Sequence, residues 1–231
     1  MLTPQGRVVM ISGATRGIGR AVLERLLAAG CTISAGVRDA SRLPEHPNLT
    51  HHRYEAAQPG SAEAWVAATI ERHGRLDALV NAAGSNTRGT LLDGEEAPFD
   101  SLWTINAKGP MRVIRAAWPH LVASGTGRVV NIASLSGKRV RNDNLAYAMS
   151  KFAVMALTQE VRRLGFEHGI RASVLCPGFV DTDMTAHVTK WPREKMSRPE
   201  DIAVLAEVLL HLPNTASVAE LLVNCRHEDM L

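Results

Sequence analysis

The stretch RVVMISGATRGIG, Arg7–Gly19, decides the fold. Its first five residues, RVVMI, read as a buried strand. The run breaks at Ser12-Gly13 and restarts as GIGRAVLERLLAAG, an apolar-periodic helix closing at Gly30. Gly13, Gly17 and Gly19 let the backbone turn tightly and come close to a pyrophosphate, which rests on the unpaired amides of a helix start. Scattered glycines carry little weight. A strand before them and a helix after them make this a dinucleotide-type turn.

Outward from that turn, short β-rich runs alternate with longer helical ones. TISAGV is a second strand and LTHHRY a third. Ser61 is placed to cap a helix running through His73, with Glu63 in its first turn. DALVNAAG and GRVVNIAS are strands four and five, separated by a long helix from about Phe99 to Val122. Another long helix covers Leu145 to His168. Strand RASVLC, a stop at Pro177-Gly178, a helix from Pro199 to about Leu212 and a last strand ELLVN complete the chain. This alternation predicts a three-layer α/β fold: a doubly wound, mostly parallel sheet of about seven strands with helices on both faces. Ligands of such sheets bind past the carboxyl ends of the strands. Gly13, Arg38, Asn81, Ser134 and Pro177 all fall there. No repeat or linker interrupts residues 1–231, so one dinucleotide-binding domain is expected, with a substrate loop at about 178–199.

Composition narrows the function. Hydrophobic residues make up 45% and charged residues 21%, enough apolar content to bury a core. A net charge of +3 without a dense Lys/Arg block argues against nucleic acid. Cys31, Cys176 and Cys225 are odd in number and far apart, which fits a reducing compartment and neither a disulfide framework nor a zinc site. No apolar run approaches a membrane span. The first residues lack the pattern of a secretion leader, and the expected location is cytoplasmic.

In LAYAMSKFAV, Leu145–Val154, Tyr147 and Lys151 lie one helical turn apart on one face of a largely apolar helix. With the glycine turn, VNAAG (Val80–Gly84), Asn106 in WTINAKG, Ser134 in NIASLSG and PGFVDTDM (Pro177–Met184), this pair arrives in the order and spacing of one family. The chain resembles the short-chain dehydrogenases/reductases over nearly its whole length. The resemblance implies that Tyr147 is the general acid/base and that Ser134 hydrogen-bonds the substrate oxygen. It also implies that Lys151 assists the phenol and binds the nicotinamide ribose, and that Asn106 holds a water in a proton relay to the lysine. A phenol titrates near 10 in water, and bringing it two to three units lower takes about 3–4 kcal/mol, within reach of a close ammonium in a partly dry site. Cofactor contacts are implied from Gly13, Thr15, Arg16, Gly17, Ile18 and Gly19, from Arg38, from Asn81, Ala82 and Gly84, and from Pro177, Gly178, Val180 and Thr182, besides Tyr147 and Lys151. No metal is expected.

An acidic residue ending strand two would favour NAD. Here Val37 and Arg38 stand at that place, with Arg16 in the turn, and two guanidinium groups suit a 2′-phosphate. NADP is therefore the preferred cofactor, with NAD open should Asp39 rather than Arg38 face the ribose. Glu55 stands where the family carries an Asp near the adenine. The expected reaction interconverts a small carbonyl compound and its primary or secondary alcohol. The alternatives are an NAD-dependent hydroxy-acid or sugar-alcohol dehydrogenase, or a dinucleotide-sensing protein without turnover. Phe179, Met184, Trp191, Leu135, Val140 and the segment after Gly84 are candidate pocket walls. Lys138, Arg139 or Arg141 could attract an anionic substrate, or belong to a solvated loop or subunit contact. The C-terminal AELLVNCRHEDML resembles members acting on small polar hydroxy compounds. The two long helices resemble the family's dimer surfaces, so a homodimer or homotetramer is expected.

Overall fold

The computed structural model describes residues 1–227; the end of the C-terminal tail, 228–231, lies outside the described residues. Strand β1 (Val8–Ser12) is buried at every position, as its unbroken apolar run requires of a central parallel strand. It is flanked by β2 (Thr32–Val37) and β4 (Ala78–Asn81), with β3 (Leu49–Arg53) beyond β2 and β5 (Arg128–Ile132), β6 (Arg171–Pro177) and β7 (Glu220–Val223) beyond β4. The order is β3-β2-β1-β4-β5-β6-β7 and every pairing is parallel. The expected seven-stranded doubly wound sheet is the observed one.

Helix α1 (Gly17–Ala28) and helix α6 (Pro199–His211) cover one face, closing a core with β1, β2 and β4 around Leu23, Leu26, Ile33, Ile202 and Ala206. Helices α2 (Ser61–His73), α4 (Gly109–Ala123) and α5 (Leu145–Gly165) contribute to the core on the other face, around Met10, Trp65, Leu79, Leu121 and Val161. Each such fully buried aliphatic side chain contributes about 1.5–3 kcal/mol.

Two local expectations need correction. Ser61 is the first residue of α2 and not its cap: Gly60, in the left-handed region, precedes the helix, and the Ser61 hydroxyl accepts from the Glu55 backbone N–H at 2.9 Å. The helix expected from Phe99 to Val122 is three segments, α3 (Ala97–Leu102), a π-helical turn Trp103–Lys108, and α4. The Gly109 N–H donates five residues back, to the Thr104 carbonyl. Pro110 has no N–H, so no ordinary i,i+4 bond can close on the Asn106 carbonyl, and the widened turn forms there.

The register sets the site. Ser12 lies opposite Gly36 of β2 and Asn81 of β4, and Asn81 lies opposite Asn131 of β5. The carboxyl ends of the strands thus finish on one edge, where the order reverses about β1 and β4 and a crevice must open.

Candidate active site

A cleft of about 530 Å³ runs along that edge. Its floor begins at the glycine turn. Gly13 has φ +72, and a Cβ there would come within 2.7 Å of the Ala83 amide nitrogen. A Cβ on Gly19 would overlap the Gly13 carbonyl. The α1 start therefore sits hard against the β4 loop. Arg16 precedes α1 without a side-chain cap bond, and its first turn holds no acidic residue. Amides lacking a side-chain cap on a helix start that opens into a cleft suit a pyrophosphate.

Of the expected cofactor contacts, Gly13, Thr15, Arg16, Gly17, Ile18, Gly19, Arg38, Ala82, Gly84, Tyr147, Lys151, Pro177, Gly178, Val180 and Thr182 line the cleft. Asn81 does not. Its side chain is buried between β4 and β5, Nδ2 donating to Asn131 Oδ1 at 2.8 Å, while Asn131 Nδ2 donates to Thr158 at 2.9 Å. Strand alternation turns this amide into the protein, where it ties sheet to α5. Arg16 forms an exposed ion pair with Asp183 at 3.3 Å. Arg38 and Glu55 also line the cleft. The Asp39 carboxylate instead accepts from the backbone and the hydroxyl of Ser41, both at 2.9 Å, which holds it below its ordinary pKa.

Ser134, Tyr147 and Lys151 converge at the other end. Ser134 follows β5 in extended conformation and its Oγ accepts from the Ser136 amide at 3.1 Å. The Ser134 side chain also hydrogen-bonds the Tyr147 hydroxyl, which favours the phenolate; burial opposes this more strongly and pushes Tyr147 up to about 12. Lys151 Nζ stands 5.5 Å from the Tyr147 ring centroid and donates to the Ile132 carbonyl at 2.8 Å. Burial pushes Lys151 down to about 8. Burial thus favours the uncharged form of both groups, raising the phenol and lowering the amine.

Asn106 sits in the π-helical turn, 1% exposed and off the cleft wall. Its Oδ1 accepts from the Ser85 N–H at 2.8 Å, and its Nδ2 donates to the Ser85 carbonyl at 2.8 Å and to Ser150 Oγ at 3.0 Å. The side-chain amide thereby clamps the β4 loop. A Cβ on Gly84 would lie 3.3 Å from Asn106 Oδ1 and 3.7 Å from Lys151 Nζ, so Gly84 packs close to both side chains.

The substrate end was only partly anticipated. Leu135, Phe179, Met184 and the segment Ser85–Asn86 line the cleft, whereas Val140 is 55% exposed and Trp191 lies off the wall, its indole donating to the Lys195 carbonyl at 3.1 Å. Of the three cations after Ser134, Arg139 lines the cleft and is buried; Lys138 turns to Glu220 at 2.6 Å, and Arg141 is exposed. Lys190 and Arg226, distant in sequence, also line it. Nothing in their local sequence marks them; only the fold of the loop brings them there. That loop is closed at its base by pairing of Val180 with Ser197.

An open parallel sheet with its crevice at the strand-order reversal is a Rossmann-type fold. Residues 7–193 match the family described as short chain dehydrogenase. The chain belongs to that family, whose members use nicotinamide dinucleotides. It is 38% identical to an agropine synthesis reductase of Rhizobium rhizogenes over 98% of this chain and 54% of the relative, so the chain spans about half the length of that protein. It is 32% identical to a 2-(R)-hydroxypropyl-CoM dehydrogenase of Xanthobacter autotrophicus, over 96% of this chain and 92% of the relative. Among solved structures, a dehydrogenase/reductase from Sinorhizobium meliloti superposes with TM-score 0.86 at 28% identity, over 96% of this chain and 94% of that one. The ligand-free Thermoplasma acidophilum aldohexose dehydrogenase gives TM-score 0.87 at 22% identity, over 97% and 95% of the chains, a likeness of fold. Among the described residues no helix is long and apolar enough to cross a membrane.

Proposed function

We propose that the protein is an NADP-dependent oxidoreductase that interconverts a small carbonyl compound and its alcohol. The observation that carries this is the meeting of a serine hydroxyl, a buried phenol and a buried ammonium at one end of a cleft whose other end is a glycine-rich helix start. A bound nicotinamide supplies or accepts the hydride. In the reductive direction Tyr147, protonated at neutral pH, gives its proton to the carbonyl oxygen, and Ser134 donates to the same oxygen as charge gathers there. Lys151, charged at neutral pH, lies close enough to stabilise the phenolate left behind. Asn106 keeps Ser85 and the β4 loop in place. Its proposed part in a proton relay to Lys151 is to hold a water.

NADP is favoured over NAD because Arg38 lines the cleft just past β2 while Asp39 is held by Ser41. The relatives named for reductase and dehydrogenase activity support the carbonyl–alcohol chemistry. Met149 and Phe152, 50% and 44% exposed on α5, support a homo-oligomer through that helix; light scattering that returned the mass of one chain would remove this part.

The deciding experiment follows absorbance at 340 nm with NADPH and NADH over a panel of aldehydes, ketones and oxo acids. Turnover is expected with NADPH, and Tyr147→Phe should lower it by 10²-fold or more, on the order expected for loss of a general acid, with cofactor affinity within a few-fold. Activity retained in that variant removes the acid. Arg38→Asp should reduce NADPH efficiency far more than NADH efficiency; equal losses count against the 2′-phosphate contact.

A further inference from the structure

Resting on that reading of the cleft, we infer that the carbonyl or alcohol substrate carries an uncharged hydroxyl close to its reacting carbon, received by the carboxamides of Asn144 and Asn86. Asn144 precedes α5 as its N-cap. With Tyr147 and Lys151 it makes the spacing i, i+3, i+7, one face of a helix, and all three line the cleft. Its carbonyl opens the helix ladder by accepting from the Ala148 N–H at 2.9 Å. An asparagine at this place ordinarily also turns its side chain onto the free amides of the first turn. This one does not: it makes no side-chain cap bond, and among the described residues its amide group has no hydrogen-bond partner. Asn144 is nevertheless only 9% exposed. A carboxamide held that far from bulk water, unpaired by protein and set one turn before the phenol, has the cleft as its remaining source of partners.

The neighbouring wall has the same deficit. The segment after Gly84 runs beside the start of α5: the Gly89 N–H donates to the Asp143 carbonyl at 3.0 Å, and the Leu145 N–H to the Gly89 carbonyl at 2.9 Å. Asn86, in that segment, lines the cleft, and its Oδ1 is buried without a hydrogen-bond partner. A buried acceptor left unpaired is costly. The last torsion of an asparagine is broad and roughly two-fold, so a half-turn presents that oxygen to the cleft. Each of the two amides offers donors and an acceptor and no charge. A hydroxyl, which donates once and accepts twice, completes that pattern, and a methyl in its place leaves it unmet.

The test follows NADPH oxidation with hydroxyacetone against butanone, and with the homologous pair one carbon longer; in each pair a methyl replaces the hydroxyl. A hydroxyl near a carbonyl raises reactivity by itself. The quantity read is therefore the change in each hydroxyl-to-methyl ratio of kcat/KM between wild type and variant, in which intrinsic reactivity cancels. For at least one pair the ratio should fall roughly tenfold in Asn144→Leu, the loss of a hydrogen bond at a desolvated site. It should fall several-fold in Asn86→Leu, which carries the test should the helix-start variant fail to fold. A role confined to holding the helix start lowers both members of a pair alike. Unchanged ratios in the folded variants overturn the proposal while leaving the oxidoreductase intact. A second readout needs no turnover: hydroxyacetone should raise the melting temperature of the NADP-loaded protein more than butanone does, and Asn144→Leu should erase the difference. If no carbonyl is turned over, the activity falls, and equal melting shifts in the wild type then overturn the hydroxyl site independently.

Discussion

At the scale of the residue, burial governs the proposed acid and its helper. Tyr147 is raised to about 12 and Lys151 lowered to about 8 by the same desolvation, so at neutral pH the phenol holds its proton and the amine its charge. Reductive kcat/KM should therefore be flat below about pH 8 and fall above it as Lys151 loses its proton; a profile flat through that range would remove the ammonium from the mechanism. The same shift bears on stability. An unfolded lysine titrates near 10.4, so between about 8 and there the unfolded chain holds more protons and this group's contribution to stability rises with pH. Tyr147 acts oppositely: from about 10 to about 12 the folded state holds the extra proton, and stability is lost as pH rises. At neutral pH a charged, buried Lys151 is a cost to the fold. Lys151→Met should abolish turnover yet stabilise the protein by about 1–2 kcal/mol, read as a melting temperature a few degrees higher.

The π-helical turn is the element that matters most to the site. It rotates Asn106 into contact with both backbone groups of Ser85, which an unbroken α-helix from Phe99 to Val122 would not do in the same register. Asn106→Ala should leave those groups and Ser150 with one partner fewer, costing about 2–3 kcal/mol by denaturant unfolding, and should lower turnover by loosening the loop that carries Gly84. Asn106→Asp keeps the acceptor for the Ser85 N–H and should retain more activity than the alanine variant. Equal loss in both would show that the amide acts otherwise than as a clamp. The signal was present in the sequence, in Pro110 four residues after Asn106, but a proline near a helix start is also ordinary.

Across the whole molecule the sheet separates its two ends. The cleft occupies the carboxyl edge, and the amino edge is tied by Arg128, 1% exposed, whose guanidinium donates to the carbonyls of Gly127, Gly169 and Leu212 and to Asn214 Oδ1. Burial, with Arg7 and Arg171 nearby, lowers it to about 10, still charged at neutral pH. Arg128→Ala strips several buried carbonyls at once and should cost about 3–5 kcal/mol, with NADPH affinity of the folded variant unchanged because β5 spans the distance to Ser134. A melting temperature within a degree of wild type would contradict this role.

Local chemistry by itself settled the alternation of strand and helix, the parallel sheet and the glycine turn, because buried parallel strands are unbroken apolar runs and the turn needs residues without a Cβ. Ser134, Tyr147 and Lys151 were marked by the motif order shared with the short-chain dehydrogenases; local chemistry supplied only the one-turn spacing of the last two. It could not say that Asn81 points into the sheet and Ser61 back to Glu55, or that Arg139 rather than Lys138 or Arg141 enters the cleft. Adjacent side chains diverge by which way the backbone turns, and that turn is set by packing between segments far apart in the chain. Lys190 and Arg226 reach the same mouth only because the loop after β6 and the residues after β7 fold over one aromatic ring.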